Sequence, residues 1–289
     1  MKRTTPLRFA NLKDRAALVV AVDSDGGGLA VDLERLTGGA FTHDPMDAFA
    51  RWPEIQRVAA SIDDSSAETF AARELRAPSP HPSQIFGIGL NYRAHAVETG
   101  APIPDSPLTF TKFPSSINAP NGEIPITVAT ADWEIEVVLV IGSGGRNIPQ
   151  ERAWDAVAGV CVGQDISDRL LQRATQPPQF NLGKSRQGYT PFGPWLVDAA
   201  SLPSRDALSL TCTLNGEEVQ RSNSNDLIFD VPRLVAYLSG IVELTPGDVI
   251  FTGTPSGVGG ARKPPRFLAP GDTLVSTVDG IGSITNRCV

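Results

Sequence analysis

Over most of this chain apolar and polar residues alternate in short stretches, each closed by Gly, Pro, Asn or Asp. That pattern predicts β-strands joined by tight turns. "AALVVAV" and "GGLAVDL" near the start, then "IFGIGL", "LTFTKF" and "GVCVGQ", read as strands. In the last third, "LSLTCTLNGEEVQR" alternates on either side of Asn215-Gly216, the strongest short-range hairpin signal. "LTPGDVIFTG" and "LAPGDTLVST" each set a Pro-Gly-Asp turn before a strand. Helical patterns are fewer: an acidic segment ending in "DSSAETFAARE", then "PQERAWDAVA", "DRLLQRAT" with Ser167 as its expected N-cap, and "VPRLVAYLSGI". With strands dominant and no regular βαβ alternation, the pattern predicts a mainly β (α+β) protein, a sandwich or open barrel with peripheral helices.

The Pro-rich stretch "LRAPSPHPSQ" (75–84) is the best candidate linker. It predicts a small N-terminal α/β domain over residues 1–75 and a larger one over 76–289.

Composition narrows the partners. The chain has 289 residues, 41% of them hydrophobic, enough for a sizeable core. Its net charge is −7 and no run of five basic residues occurs, which argues against nucleic acid and anionic membrane surfaces. An anionic small substrate would need cations gathered locally. Cys161, Cys212 and Cys288 are far apart and read as buried small hydrophobes. The basic start carries no apolar signal stretch, and no apolar run is long enough to span a bilayer, so a soluble, cytoplasmic protein is expected.

One strand breaks the pattern. In "ADWEIEVVLVIG" (131–142), Asp132, Glu134 and Glu136 occupy every second position and so project from one face of a segment that otherwise reads as core. A second buried-looking strand, "GVCVGQD", ends at Asp165. Carboxylates crowded in a core repel one another and stay ionised only beside a cation. Three oxygen donors without His or Cys suit Mg²⁺ or Mn²⁺, with Ca²⁺ less well matched. His95 stands three residues before Glu98 in "GLNYRAHAVETG", and in a helical turn the pair would share a face, as a general base and its orienting carboxylate. Arg169, Gln172 and Lys184 follow Asp165 and would supply contacts for an anion. Two decoys fail on spacing. "IGSGG" lacks the third Gly of a dinucleotide fingerprint, and "GKS" lacks the upstream Gly of a phosphate-binding loop.

Taken in order, "GLNYRAHAVE", "FTKFPSS", "WEIEVVLVIG", "GVCVGQDISDRLLQ", "GKS", "GPWLV", "LNGEEVQ" and "PGDVIFTGTPSGVG" resemble the fumarylacetoacetate hydrolase family, from about residue 85 to the C-terminus. The resemblance implies a mixed β-sandwich roll, a homodimer, and a divalent ion held by Glu134, Glu136 and Asp165. It places His95 and Glu98 as a water-activating dyad in a segment that closes as a lid, and Lys184 as a catalytic cation. Arg169, Gln172, Thr254 and Tyr92 become substrate contacts. The implied reaction is metal-dependent hydrolysis of a C–C bond in a 2,4-dioxo acid of the acylpyruvate or fumarylacetoacetate kind. Decarboxylation of a β-keto acid such as oxaloacetate, and isomerase or hydratase activity on unsaturated 2-oxo acids, are the alternatives. A non-catalytic metal-binding module is disfavoured because the full residue set is present. "GKSRQGYTPFGPW" departs from the family's sugar-acid hydrolase pattern and leaves the acyl group open.

Overall fold

A computed structural model of the chain describes residues 6–62 and 64–289. The basic start, residues 1–5, lies outside the described residues. The architecture is mainly β, as the alternation predicts. A 12-stranded mixed sheet forms one layer and a four-stranded antiparallel sheet another.

At the centre of the large sheet lies the strand Ile135–Ile141, antiparallel to Val157–Gln164 on one side and to Val249–Phe251 on the other. Its two-residue period sorts its side chains into two cores. Ile135, Val137, Leu139 and Ile141 join the cluster that includes Leu210, Cys212 and Leu274 of the four-stranded sheet. Val138 and Val140 join a second cluster with Phe9, Phe49, Trp52 and Ile55 from the N-terminal segment. Every residue of the strand is buried, and each large apolar side chain so placed contributes roughly 1.5–3 kcal/mol. A strand buried on both faces leaves no solvated side for Glu136, which must find its partners inside the protein.

Residues on both sides of the Pro-rich stretch contribute to the large sheet. Arg8–Leu12 pairs antiparallel with Thr190–Asp198 and carries Arg15–Val22 and Gly28–Asp32 outward from it. The helix Trp52–Ala60 covers the second core, with Trp52 Nε1 donating to Asp198 at 2.9 Å. The acidic segment expected to be helical up to Glu74 differs. Its helix stops at Ala60, and Glu68–Phe70 forms a short edge strand beside Gly28–Asp32. The β-favouring pair Thr69-Phe70 was the available signal there.

Elsewhere the turn chemistry holds. Asn215 (φ 53°) and Gly216 (φ 82°) form the tight link between Ser209–Leu214 and Glu217–Asn223. The three cysteines are free and buried. Among the described residues no helix is long and apolar enough to cross a membrane.

Candidate active site

The site is built where the central strands end. Gln164 Oε1 accepts from the backbone N–H of Glu134 at 2.8 Å, and the carbonyl of Glu134 accepts from Asp165 N at 2.9 Å. This pairing brings Glu134, Glu136 and Asp165 together. All three are buried, and their ligand oxygens lie within 4.8 Å of one another. The carboxylates predicted from strand periodicity therefore converge.

Cations hold them. Lys184 Nζ donates to Glu134 Oε2 and to Asp165 Oδ2, both at 2.7 Å. Arg169 Nη1 lies 2.7 Å from Glu134 Oε1. Lys112, which the sequence reading did not single out, is also buried, donating to Asp165 Oδ1 and, at 3.1 Å, to the carbonyl of Tyr189. A lone Lys in the strand-like run "LTFTKF" was the available signal. Asp132, which is no member of the expected ligand set, is fully buried and ion-paired to Arg169 at 2.7 Å.

These charges are unequal. Four carboxylates (Asp132, Glu134, Glu136, Asp165) meet three cations (Lys112, Arg169, Lys184), so one carboxylate is left over. The titration directions identify it. Burial opposes ionisation of Glu134, but Lys184 and Arg169 outweigh burial and hold its carboxyl at about 2. For Glu136, burial and the neighbouring charges of Asp165 and Glu134 push the carboxyl well above its usual range, against Lys184 and the N–H of Gly253. That N–H, at 2.7 Å, is the only hydrogen bond Glu136 accepts here among the described residues. An all-oxygen donor set with one uncompensated buried carboxylate fits a hard divalent cation.

The dyad faces the same cavity. The helix Arg93–Thr99 ends at Gly100 in the left-handed region (φ 67°), and its start is fixed from outside, by Asp226 accepting from Ala94 N at 3.1 Å. On it, His95 Nδ1 and Glu98 Oε2 are 2.9 Å apart, as the spacing predicts. Glu98 Oε1 takes the N–H of Gly257 at 2.8 Å, which ties the helix to the glycine-rich loop. A cavity of about 510 Å³ is lined by His95, Glu98, Glu134, Arg169, Lys184 and Thr254, among others.

Three further residues need separate notice. Gln172 lines the cavity and accepts from Arg169 Nη1 at 3.1 Å. The Thr254 hydroxyl donates to the carbonyl of Ile135 at 3.0 Å and accepts from Gln220 at 2.9 Å, so its hydrogen is already engaged. Tyr92 is fully buried beside the helix, its hydroxyl has no hydrogen-bond partner, and it does not line the cavity. The helix carrying Arg169 is shorter than expected, Arg169–Gln172, and its N-cap is Asp168 rather than Ser167. Ser167 instead donates to the carbonyl of Asp165 at 2.9 Å.

Comparison with known proteins gives the family and the fold. The family description "Fumarylacetoacetate (FAA) hydrolase C-terminal" matches residues 84–289. Over 217 residues, 74% of this chain and 68% of the relative, the sequence is 42% identical to the mitochondrial oxaloacetate tautomerase fahd2 of Xenopus laevis. The fold superposes on a Mycobacterium smegmatis protein provisionally assigned as HpcE with a TM-score of 0.89 and 47% identity, covering 98% of this chain and 99% of that one. It also matches fumarylpyruvate hydrolase from Pseudomonas aeruginosa, solved with Mn²⁺ and pyruvate, at a TM-score of 0.63 and 30% identity, over 77% of this chain and 91% of that one. The chain belongs to the fumarylacetoacetate hydrolase family.

Proposed function

We propose that the protein is a divalent-metal-dependent hydrolase that cleaves the C–C bond between C3 and C4 of a 2,4-dioxo acid. The observation that carries this reading is the His95–Glu98 dyad lining one cavity with Glu134, the member of the buried carboxylate triad that reaches the cavity surface. A Mg²⁺ or Mn²⁺ ion held by Glu134, Glu136 and Asp165 supplies Lewis-acid stabilisation of the negative charge that develops on the 2-oxo group. Arg169 and Gln172 take the substrate carboxylate, with Thr254 shaping the floor beneath it. Tyr92, buried beside the helix and off the cavity lining, takes no substrate contact in this reading.

Glu98 accepts the Nδ1 proton of His95 and so leaves Nε2 as the base. His95 takes a proton from water as the hydroxide adds to C4. The C3–C4 bond then breaks, its electron pair passes to the pyruvyl fragment as an enolate, and the acyl fragment leaves as a carboxylic acid. His95 returns the proton to C3, giving pyruvate. Lys184, fixed by two carboxylates, keeps a positive charge beside the enolate without having to reorganise.

A second reading is keto–enol tautomerisation of oxaloacetate, favoured by the 42% identity to a protein so named. It needs the same dyad to move a proton between C3 and oxygen, but no water. The two part on products. With Mn²⁺ and an acylpyruvate, pyruvate and a free acid are expected in equal amounts, and His95→Ala should lower that rate roughly 10²–10⁴-fold. Enolisation of oxaloacetate with no cleavage of any acylpyruvate would establish the second reading instead, and CO₂ release would point to decarboxylation.

A further inference from the structure

We propose that Asp132 is a positioning residue that locks the substrate-binding Arg169 and the His95–Glu98 dyad into one register through the glycine-rich loop. The inference rests on the roles given above to Arg169 and the dyad.

Asp132 is fully buried, and its carboxylate accepts four donors without needing water. Oδ1 takes Trp133 N at 2.8 Å and Gly259 N at 2.7 Å. Oδ2 takes Gly260 N at 2.9 Å and Arg169 Nε at 2.7 Å. One carboxylate thus binds the loop with one oxygen, and both the loop and the guanidinium with the other.

On the Arg169 side, fixing Nε fixes the plane of the guanidinium, because its five donors form a rigid fork. Nη1 is committed to Glu134 and Gln172, while Nη2 is buried with no hydrogen-bond partner. Nη2 is thus the one nitrogen of this guanidinium without a partner among the described residues, on a side chain that lines the cavity. On the dyad side, the adjacent Trp133 donates through Nε1 to the carbonyl of Gly257 at 3.1 Å, and the N–H of Gly257 holds Glu98 at 2.8 Å. Residues 132 and 133 therefore grip the loop at three glycines, and the loop in turn holds the carboxylate that orients His95.

The fit allows little slack. A Cβ on Gly259 would meet the carbonyl of Arg266 at 1.9 Å and Asp132 Oδ1 at 2.7 Å, so the loop can lie this close only with glycine there. Asparagine at 132 could accept through Oδ1 but would turn its Nδ2 towards two donors, Gly260 N and Arg169 Nε, breaking one arm of the grip. Trp133→Phe would break only the arm to Gly257.

Two readouts that need no turnover test the inference. Calorimetric titration of the Mn²⁺-loaded protein with oxalate reports on Arg169. The imidazole NMR signal of His95, one of three histidines, reports on the dyad. Asp132→Asn should weaken oxalate about tenfold, the loss expected for one charge-assisted hydrogen bond, and shift the His95 signal. Trp133→Phe should shift the His95 signal and leave oxalate affinity within about twofold, since its hydrogen bond lies on the dyad arm alone. Oxalate affinity unchanged in Asp132→Asn, or an unmoved His95 signal, overturns the inference. Should Asp132→Asn not fold, Gly260→Ala sets a methyl 3.2 Å from Asp132 Oδ2 and must move the same two readouts. Failure to cleave any 2,4-dioxo acid would sink the functional reading alone, because neither readout depends on it.

Discussion

The two walls of the cavity are built differently. The inner wall, with Glu134, Glu136, Asp165 and Lys184, sits at the ends of buried central strands or between them. Strand pairing fixes Glu136, and buried ion pairs tie Glu134, Asp165 and Lys184 to one another, so these charges have little room to relax apart. The outer wall consists of two short helices, Arg93–Thr99 and Arg169–Gln172, with the segment after them. It is held by a few hydrogen bonds and shows its side chains to solvent, Val97 at 81% and Leu170 at 73% exposure. Charge is stored where nothing can move, and the choice of substrate is left where elements can shift at small cost.

The largest effect that would break this comparison comes from removing the inner wall's uncompensated charge. Glu136→Gln should abolish Mn²⁺ binding and lower turnover on the order of 10³-fold or more, since Lewis-acid stabilisation is worth several kcal/mol. Stoichiometric metal in the purified variant would show that Glu136 is not a ligand. Lys184→Met comes next. It leaves Glu134 and Asp165 short of a buried partner, and losing one member of such a pair costs about 3–5 kcal/mol, read from urea unfolding of metal-free protein. A loss below about 1 kcal/mol, the range of exposed pairs, would mean that the inner wall relaxes after all.

Smaller in size, but sharper, is the pH dependence. Glu134, just before the central strand, and Glu136, inside it, have opposite shifts. Because Glu134 is held at about 2 in the fold, its contribution is present above the ordinary carboxylate range and is lost as pH falls towards that value. Glu136 runs the other way. Folded, metal-free protein keeps its proton above the ordinary range, where the unfolded chain has already lost it. Stability of the metal-free protein should therefore fall as pH rises through that window, by up to about 1.4 kcal/mol per pH unit. Glu136→Gln should flatten that fall, and Mn²⁺ affinity of the unchanged protein should weaken on acidification, as the ion must displace the proton. Identical pH–stability curves for metal-free protein and Glu136→Gln would show that Glu136 ionises without penalty.

The same contrast explains what could be read from the sequence. The inner wall was legible because strand periodicity is rigid: Glu134 and Glu136 at alternate positions have to share a face, and an apolar run on both flanks has to be buried. The His95–Glu98 pair was legible for the parallel reason in a helical turn. Lys112 escaped because one Lys in a strand is indistinguishable by pattern from a solvated edge residue. Asp132 escaped because its partners, Gly259 and Gly260, are more than a hundred residues away and offer only backbone N–H groups, which no side-chain pattern records. The N-cap of the Arg169 helix moved by one residue because Ser167 turned to bond Asp165 instead. The misses at Lys112 and Asp132 lie where a contact crosses the chain, whereas the shifted N-cap reflects a local competition between neighbouring side chains.

The smallest expected effect tests the outer wall. Arg173 stands four residues beyond Arg169, about one helical turn further along the cavity lining, near Gln176 and Phe180. Among the described residues no ion pair is formed by its guanidinium, in contrast to the ion-paired Arg169 and Lys184. If the inner wall takes the 2-oxo acid end of a substrate, a cation one turn away is placed for an anionic group at the other end. Arg173→Gln should then raise KM for a 2,4-dioxo acid carrying a distal carboxylate, and leave a methyl-terminated acylpyruvate unchanged. Arg173 is exposed, so the pair is worth no more than about 1 kcal/mol, roughly a fivefold rise in KM, and added salt should erase most of it. An equal rise for both substrates would mean that Arg173 acts on the shared 2-oxo acid end, and the division of labour between the two walls would fail at that point.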